Sequence, residues 1–205
     1  MSEVAISIEY ENVEICCVDV KFGSDRLRVI VYYRPPRYTA ADEQYLDLSL
    51  RCFSGLLSAA ASQAILMGDF SFPKIDWIHY AAPANSFYDK IMTYVNENPL
   101  LQFVLQPTRQ ENILDLVLSN GLNLISDLQV ECPFSTSDHH LVKFSINTSG
   151  SEDKVLEDHD ADHLYYDFRG ADVTTIVYPG HLRSCSMRQF FRIGPRIDSH
   201  KGNFF

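Results

Sequence analysis

Features that mark secreted, membrane-bound or disulfide-stapled proteins are missing from this sequence. No run of about 18 apolar residues occurs, so no membrane-spanning helix is predicted. The N-terminus carries acids early and lacks the basic-then-apolar order of a signal peptide. None of the five cysteines forms a C-x-x-C pair, which favours buried or incidental thiols over a disulfide frame or a zinc site. We therefore expect an intracellular protein, nuclear or cytoplasmic, with no membrane partner.

An excess of basic residues is also lacking, since the net charge is −10. Proteins that bind DNA mainly through its phosphates usually carry a basic face. The charge is uneven: residues 151–172 hold eight acids against two bases, and residues 179–205 hold five bases against one acid. The rest of the chain remains acidic. Carboxylates gathered for a metal ion and a solvated acidic surface both account for this, and the second is the simpler explanation.

The chain has enough apolar residues for one folded domain, at 46% of 205 residues. Hydrophobic periodicity predicts two helices, over 40–61 and from Asn85 or Ser86 to Asn98-Pro99. The first helix is expected to be capped by Thr39. Strands are predicted at 4–8, 15–20, 27–33, 64–67, 113–118, 124–130 and 141–146.

Strands that alternate with helices predict an α/β layered domain. We expect it to span residues 1–147 and to be followed over 148–205 by an acidic linker and a loosely ordered basic tail.

Four ionisable residues lie at or near the predicted strand ends. Asp69 directly follows a wholly apolar strand, and Asp138-His139 precedes the last strand. Asp115 lies inside an apolar strand, where a lone carboxylate is costly unless it is paired, for example with a histidine. Taken alone, each has a simpler explanation: a polar turn for Asp69 and a polar loop for Asp138-His139. Taken together, the four residues favour one site of metal-assisted hydrolysis.

Five motifs follow one another along the chain. They are Tyr33-Arg34-Pro35-Pro36, Gly68-Asp69-Phe70-Ser71-Phe72-Pro73 with Ile75-Asp76-Trp77, Gln106-Pro107-Thr108-Arg109, Asn112-Ile113-Leu114-Asp115-Leu116-Val117-Leu118 and Ser137-Asp138-His139. In this order they resemble the endonuclease domain of non-LTR retrotransposons, which also carry a reverse transcriptase. That domain belongs to the endonuclease/exonuclease/phosphatase superfamily, and the resemblance covers about residues 25–147.

The resemblance implies a role for each matching residue in hydrolysis of a DNA phosphodiester. Asp69 would orient or activate the attacking water, and Asp115 would pair with His139, which would stabilise the pentacovalent phosphate. Asp138 would sit beside a Mg²⁺ (or Mn²⁺) ion, with no small-molecule cofactor. The substrate contacts implied by the resemblance are Tyr33, Ser71 and Thr108.

Two departures from the family pattern bear on activity. Ser71 stands where the family has Asn, and a serine lacks the amide NH₂ donor. The family's early strands, which carry an Asn and the metal-binding Glu, find no match here. The resemblance thus implies a superfamily sandwich with its N-terminal strands missing, an exposed sheet that favours self-association, and reduced or no activity.

Three functions compete at this point. The first is an active endonuclease, and the second is an inactive retroelement remnant that acts, if at all, as a binding module. The third is a phosphatase or exonuclease using the same site. The motifs beginning at Tyr33 and Asn112 favour the retroelement branch, and the two departures favour the remnant over the active enzyme.

Overall fold

A computed structural model describes residues 1–22, 25–35, 40–59, 63–133, 136–147 and 176–178 of the chain. The strands are β1 (Ser2–Glu3), β2 (Ile15–Phe22), β3 (Asp25–Tyr33), β4 (Gln63–Asp69), β5 (Leu101–Gln102), β6 (Asp115–Ser119), β7 (Ile125–Glu131), β8 (Leu141–Ile146) and β9 (Ile176–Tyr178). The helices are α1 (Ala40–Ser58) and α2 (Phe87–Glu97), with one 3-10 turn over Ile8–Tyr10.

These strands form two sheets. The larger has the order β1-β2-β3-β4-β6-β5, and the smaller has the order β7-β8-β9. Strands β3 and β4 are parallel and joined through α1, whereas the other neighbouring pairs are antiparallel. The expected α/β layered class is therefore confirmed. Among the helices that the structure describes, none is both long and apolar enough to cross a membrane.

Burial explains why the central segments form these elements. Residues Ala64 to Met67 in β4 are at most 1% exposed, as expected for an apolar strand covered on both faces. Helix α2 buries one apolar face, which consists of Tyr88, Ile91, Met92, Tyr94 and Val95. The sheet and this helical face thus share one core.

A buried ion pair links the strands to α1. The Arg28 guanidinium in β3 donates to both carboxylate oxygens of Asp19 in β2, at 2.8 and 2.9 Å, and to the Leu56 carbonyl at 2.7 Å. Arg28 is 5% exposed and Asp19 is 7% exposed. The hydrogen bond from Arg28 holds the pKa of Asp19 below its ordinary value. This pair therefore fastens the C-terminal part of α1 to the sheet.

The N-terminal segment differs from its predicted strand over 4–8. Only Ser2–Glu3 form β1, and the Val4 amide continues the pairing by donating to the Cys17 carbonyl at 2.9 Å. The chain then turns, with Tyr10 donating to Ser7 at 2.9 Å. Val4 and Ile6 pack against the core, although the segment that carries them is irregular. The alternation of apolar residues therefore reflects which side chains are buried and not a strand.

The structure describes one of the two predicted N-caps and a short part of the predicted linker and tail. Ser86 is the N-cap of α2, but its hydroxyl donates to the Pro83 carbonyl instead of capping the helix. Thr39 lies outside the described residues. In the stretch predicted as linker and tail, Ile176–Tyr178 pair with β8, and the remainder lies outside the described residues.

Candidate active site

Strand register brings three of the candidate residues side by side. Tyr33 lies opposite Asp69 in the parallel β3–β4 pair, and Asp69 lies opposite Asp115 in the antiparallel β4–β6 pair. Residues directly opposite on neighbouring strands point to the same face of a sheet. The three residues therefore form one row at the edge where β3 and β4 end and β6 begins.

His139, from the loop before β8, completes this row. Its Nδ1 lies 2.8 Å from Asp115 Oδ2, and both side chains are 1% exposed. The carboxylate that looked misplaced inside an apolar strand is thus paired with a buried histidine. Such a hydrogen bond fixes the ring orientation and favours the tautomer with hydrogen on Nδ1.

Thr108 joins the two segments that carry this pair. Its Oγ1 accepts hydrogen bonds from the Leu114 and Asp115 amides at 3.0 Å, and its carbonyl accepts one from the His140 amide at 2.7 Å. The side chain is fully buried, so its role in this structure is to hold the site, and a substrate contact stays a prediction. Sequence reasoning missed this role because it depends on contacts between distant segments.

A second buried contact orients Asp69. The Ser71 hydroxyl donates to Asp69 Oδ1 at 2.8 Å, and both residues are buried. Ser71 adopts a φ of +49°, a left-handed conformation that L-residues seldom take. The amide of Phe70 donates to the Leu114 carbonyl at 2.8 Å, which ties this turn to the segment entering β6.

Burial and neighbouring charges shift the ionisation of this cluster. Burial, followed by the charge of Asp115, raises the pKa of Asp69 to about 6. Burial lowers the pKa of His139, but the hydrogen bond and charge of Asp115 outweigh it, and the pKa ends above its ordinary value. A carboxyl and an imidazole whose pKa values are raised within one buried cluster are typical of sites of proton transfer. A purely structural ionic cluster is the simpler alternative.

These shifts predict how stability depends on pH. Folded Asp69 holds its proton more tightly than the ordinary pKa of 3.8 allows, so the stability present below pH 3.8 is lost as the pH rises through about 6. Asp69→Asn removes this loss. We expect the unfolding free energy of the variant relative to wild type to rise between pH 4.5 and 7.5 by roughly 2 kcal/mol, as measured by urea denaturation.

Asp76→Asn serves as the matched control. The exposed Asp76 bonds His79 at 2.8 Å, and this hydrogen bond lowers the pKa of Asp76. The stability that Asp76 contributes is therefore lost only as the pH falls below about 3.8, so the difference between this variant and wild type should stay constant between pH 4.5 and 7.5. A flat difference for Asp69→Asn across this range would show that Asp69 does not titrate as described.

The candidate metal ligand, Asp138, occupies a different environment. Its carboxylate is 53% exposed and lies 2.5 Å from Arg109 Nη2. Burial raises the pKa of Asp138, but the Arg109 charge outweighs it and lowers the pKa. Across the described ranges, no three His, Cys, Asp or Glu side chains are grouped to hold a metal ion. A guanidinium and a divalent cation compete for the same carboxylate, so these residues alone do not fit Mg²⁺.

The fold itself is that of an endonuclease domain. The endonuclease domain of TRAS1, a telomere-specific non-LTR retrotransposon, matches this chain with a TM-score of 0.52 at 20% sequence identity. The match covers 66% of this chain and 64% of that domain, so this chain spans less than two thirds of its length.

The sequence agrees with the fold. The profile of the endonuclease-reverse transcriptase family matches residues 27–143, more than half of the 205 residues. The chain therefore belongs to the endonuclease-reverse transcriptase family. No curated protein sequence matches it.

Proposed function

We propose that this domain carries a phosphodiester-hydrolase site of the retrotransposon DNA endonuclease kind, with reduced or no activity in the chain as it stands. The observation that supports the site is the buried Asp115–His139 pair, at 2.8 Å, in the same row as Asp69. Family membership supports DNA as the substrate. A nuclear or cytoplasmic location stays a prediction.

Each residue of the row has a proposed task in the reaction. Asp69 accepts a proton from the attacking water, for which a pKa of about 6 is suitable. His139 stabilises the developing phosphorane by hydrogen bonding or by its positive charge, and Asp115 keeps the His139 ring in place. Tyr33, opposite Asp69 and half-buried, contacts the phosphate.

The proposed loss of activity rests on two features of the site. A divalent Mg²⁺ or Mn²⁺ ion would neutralise phosphate charge, yet Asp138 is neutralised by Arg109 instead. The Ser71 hydroxyl already donates to Asp69, and the Ser71 side chain has no amide group that could donate to a phosphate. Removing one such donor typically costs about 10²–10³ in rate, so two deficits together leave little catalysis.

The alternative is an inactive retroelement-derived binding module. The Arg109–Asp138 ion pair favours it, since the candidate metal ligand Asp138 has a guanidinium as its partner. Self-association through exposed sheet surface stays a prediction of this second function. Sedimentation of the purified chain tests it, because a monodisperse monomer would contradict the prediction.

Plasmid nicking tests the main proposal. The chain, His139→Ala and Ser71→Asn are incubated with supercoiled plasmid and Mg²⁺ or Mn²⁺, with the TRAS1 endonuclease domain as positive control. We expect the chain to nick at least about 100-fold more slowly than the control, and Ser71→Asn alone not to restore activity.

Two outcomes of this assay separate the alternatives. Nicking by the chain at a rate within about 100-fold of the control, which disappears in His139→Ala, would show a fully working site and contradict the proposed loss of activity. Equal nicking by both proteins would indicate a contaminating nuclease. Titration of a labelled duplex by fluorescence anisotropy then distinguishes an impaired enzyme that still binds DNA from a module that does not.

A further inference from the structure

A buried arginine, Arg34, lies against the turn formed by residues 69–71. Arg34 directly follows β3 and is 1% exposed. Its guanidinium carbon lies 4.6 Å from the centre of the Phe72 ring and 4.8 Å from that of the Phe87 ring. The family resemblance implies a role for Tyr33 in the same motif and none for Arg34.

Arg34 forms hydrogen bonds with both ends of the turn that carries Asp69. Its backbone amide donates to the Asp69 carbonyl at 2.8 Å, and its Nη1 donates to the Ser71 carbonyl at 2.6 Å. The Ser71 hydroxyl in turn donates to the Asp69 carboxylate at 2.8 Å. Ser71 holds an unfavourable φ of +49°, and such a conformation persists only where its surroundings impose it.

The cost of burying this side chain argues against simple core filling. Among the described residues, Arg34 Nε and Nη2 have no hydrogen-bond partner. A buried charge is expensive unless it is paired, and contact with two aromatic rings offsets only part of that cost. An unbranched apolar side chain such as methionine would fill the same space, so the guanidinium is explained by the group it binds.

We propose that Arg34 is a positioning residue of the site: it holds the Asp69–Ser71 turn so that the Ser71 hydroxyl points at the Asp69 carboxylate. Its importance for catalysis rests on the function proposed above. The charges of Asp115 and His139 also affect the pKa of Asp69, and this effect does not depend on Arg34.

The test is a titration of the Asp69 carboxyl by NMR with ¹³C-labelled aspartate, assigned with Asp69→Asn. Ser71→Ala removes the hydrogen bond to the ionised Asp69 carboxylate, and Arg34→Met releases the Ser71 hydroxyl that donates it. Each variant should therefore raise the pKa of Asp69 by about one pH unit. The double variant should show no larger shift than either single variant, because Arg34 acts through Ser71. The control is Arg28→Met, which removes a buried arginine within β3 and should leave the pKa of Asp69 unchanged.

Three results would overturn the proposal. One is an unchanged pKa in Arg34→Met. Another is a double variant whose shift is the sum of the two, which would mean that Arg34 acts by its charge alone. The third is an equal shift in Arg28→Met, which would indicate general loosening.

Arg34→Lys carries the test if Arg34→Met does not fold. An ammonium retains the charge but not the planar stacking that aims the donor. An unchanged Asp69 pKa in Arg34→Lys would likewise contradict the proposal. The titration requires no turnover, so its failure and a failure of the nicking assay are separate results.

Discussion

Replacing Gly68 with alanine is expected to destabilise the domain by about 4 kcal/mol or more, a large part of the 5–15 kcal/mol that usually holds a domain together. Gly68 has a φ of +140°, which is open in practice only to glycine. A Cβ atom at this position would lie 1.8 Å from the Tyr32 carbonyl oxygen. That oxygen belongs to the neighbouring strand of the parallel β3–β4 pair, so the methyl group would push the two central strands apart.

Urea denaturation followed by fluorescence measures this effect, since Trp77 is the single tryptophan and is buried. Gly55→Ala is the matched control. Gly55 lies within α1, and a Cβ there meets nothing within 4 Å. The control should therefore gain about 0.5–1 kcal/mol of helix stability. Equal stability of Gly68→Ala and wild type would mean that the strands do not approach as closely as described.

Arg28→Met is expected to cost about 3–5 kcal/mol, because it leaves the Asp19 carboxylate buried without its partner. The guanidinium makes three hydrogen bonds, two to Asp19 and one to the Leu56 carbonyl. The deficit should shrink in acid. The pKa of Asp19 is lowered in the fold, so the stability that it contributes is lost as the pH falls through that pKa.

Arg26→Met separates burial from charge in this comparison. Arg26 also approaches Asp19, at 3.6 Å, but its side chain is 46% exposed. Exposed pairs contribute about 0–1 kcal/mol, so this variant should remain close to wild type. If both variants lose the same free energy, removal of a positive charge near Asp19 explains the loss, and the buried geometry of Arg28 does not.

Periodicity in the sequence determined the central elements. The buried run at Ala64–Met67, the helix from 40 and the strands near 27–33, 113–118 and 141–146 all formed where they were expected, with bounds shifted by a few residues. Helical spacing of the apolar residues identified α1, whereas short apolar runs that end at turn residues identified the buried strands. The two-residue strand β5 escaped notice because two residues carry no period.

The five sequence motifs, in their order along the chain, determined the family and identified the residues of the row as site candidates. An apolar strand interrupted by one aspartate requires a partner for that carboxylate, and the requirement can be stated without knowing the fold. His139 meets it in the structure. The tertiary structure alone decided which distant backbone groups complete the arrangement.

Three such contacts join residues more than 25 positions apart. Arg34 reaches Ser71, Arg109 reaches Asp138, and the Thr108 carbonyl receives the His140 amide. The types of these residues do not specify their partners, because an arginine or a threonine forms equally good hydrogen bonds with many groups. The choice is made by strand register and by which chain segments pack together. The sequence by itself therefore determined the elements, the family and the candidate side chains, whereas packing decided how those side chains are held.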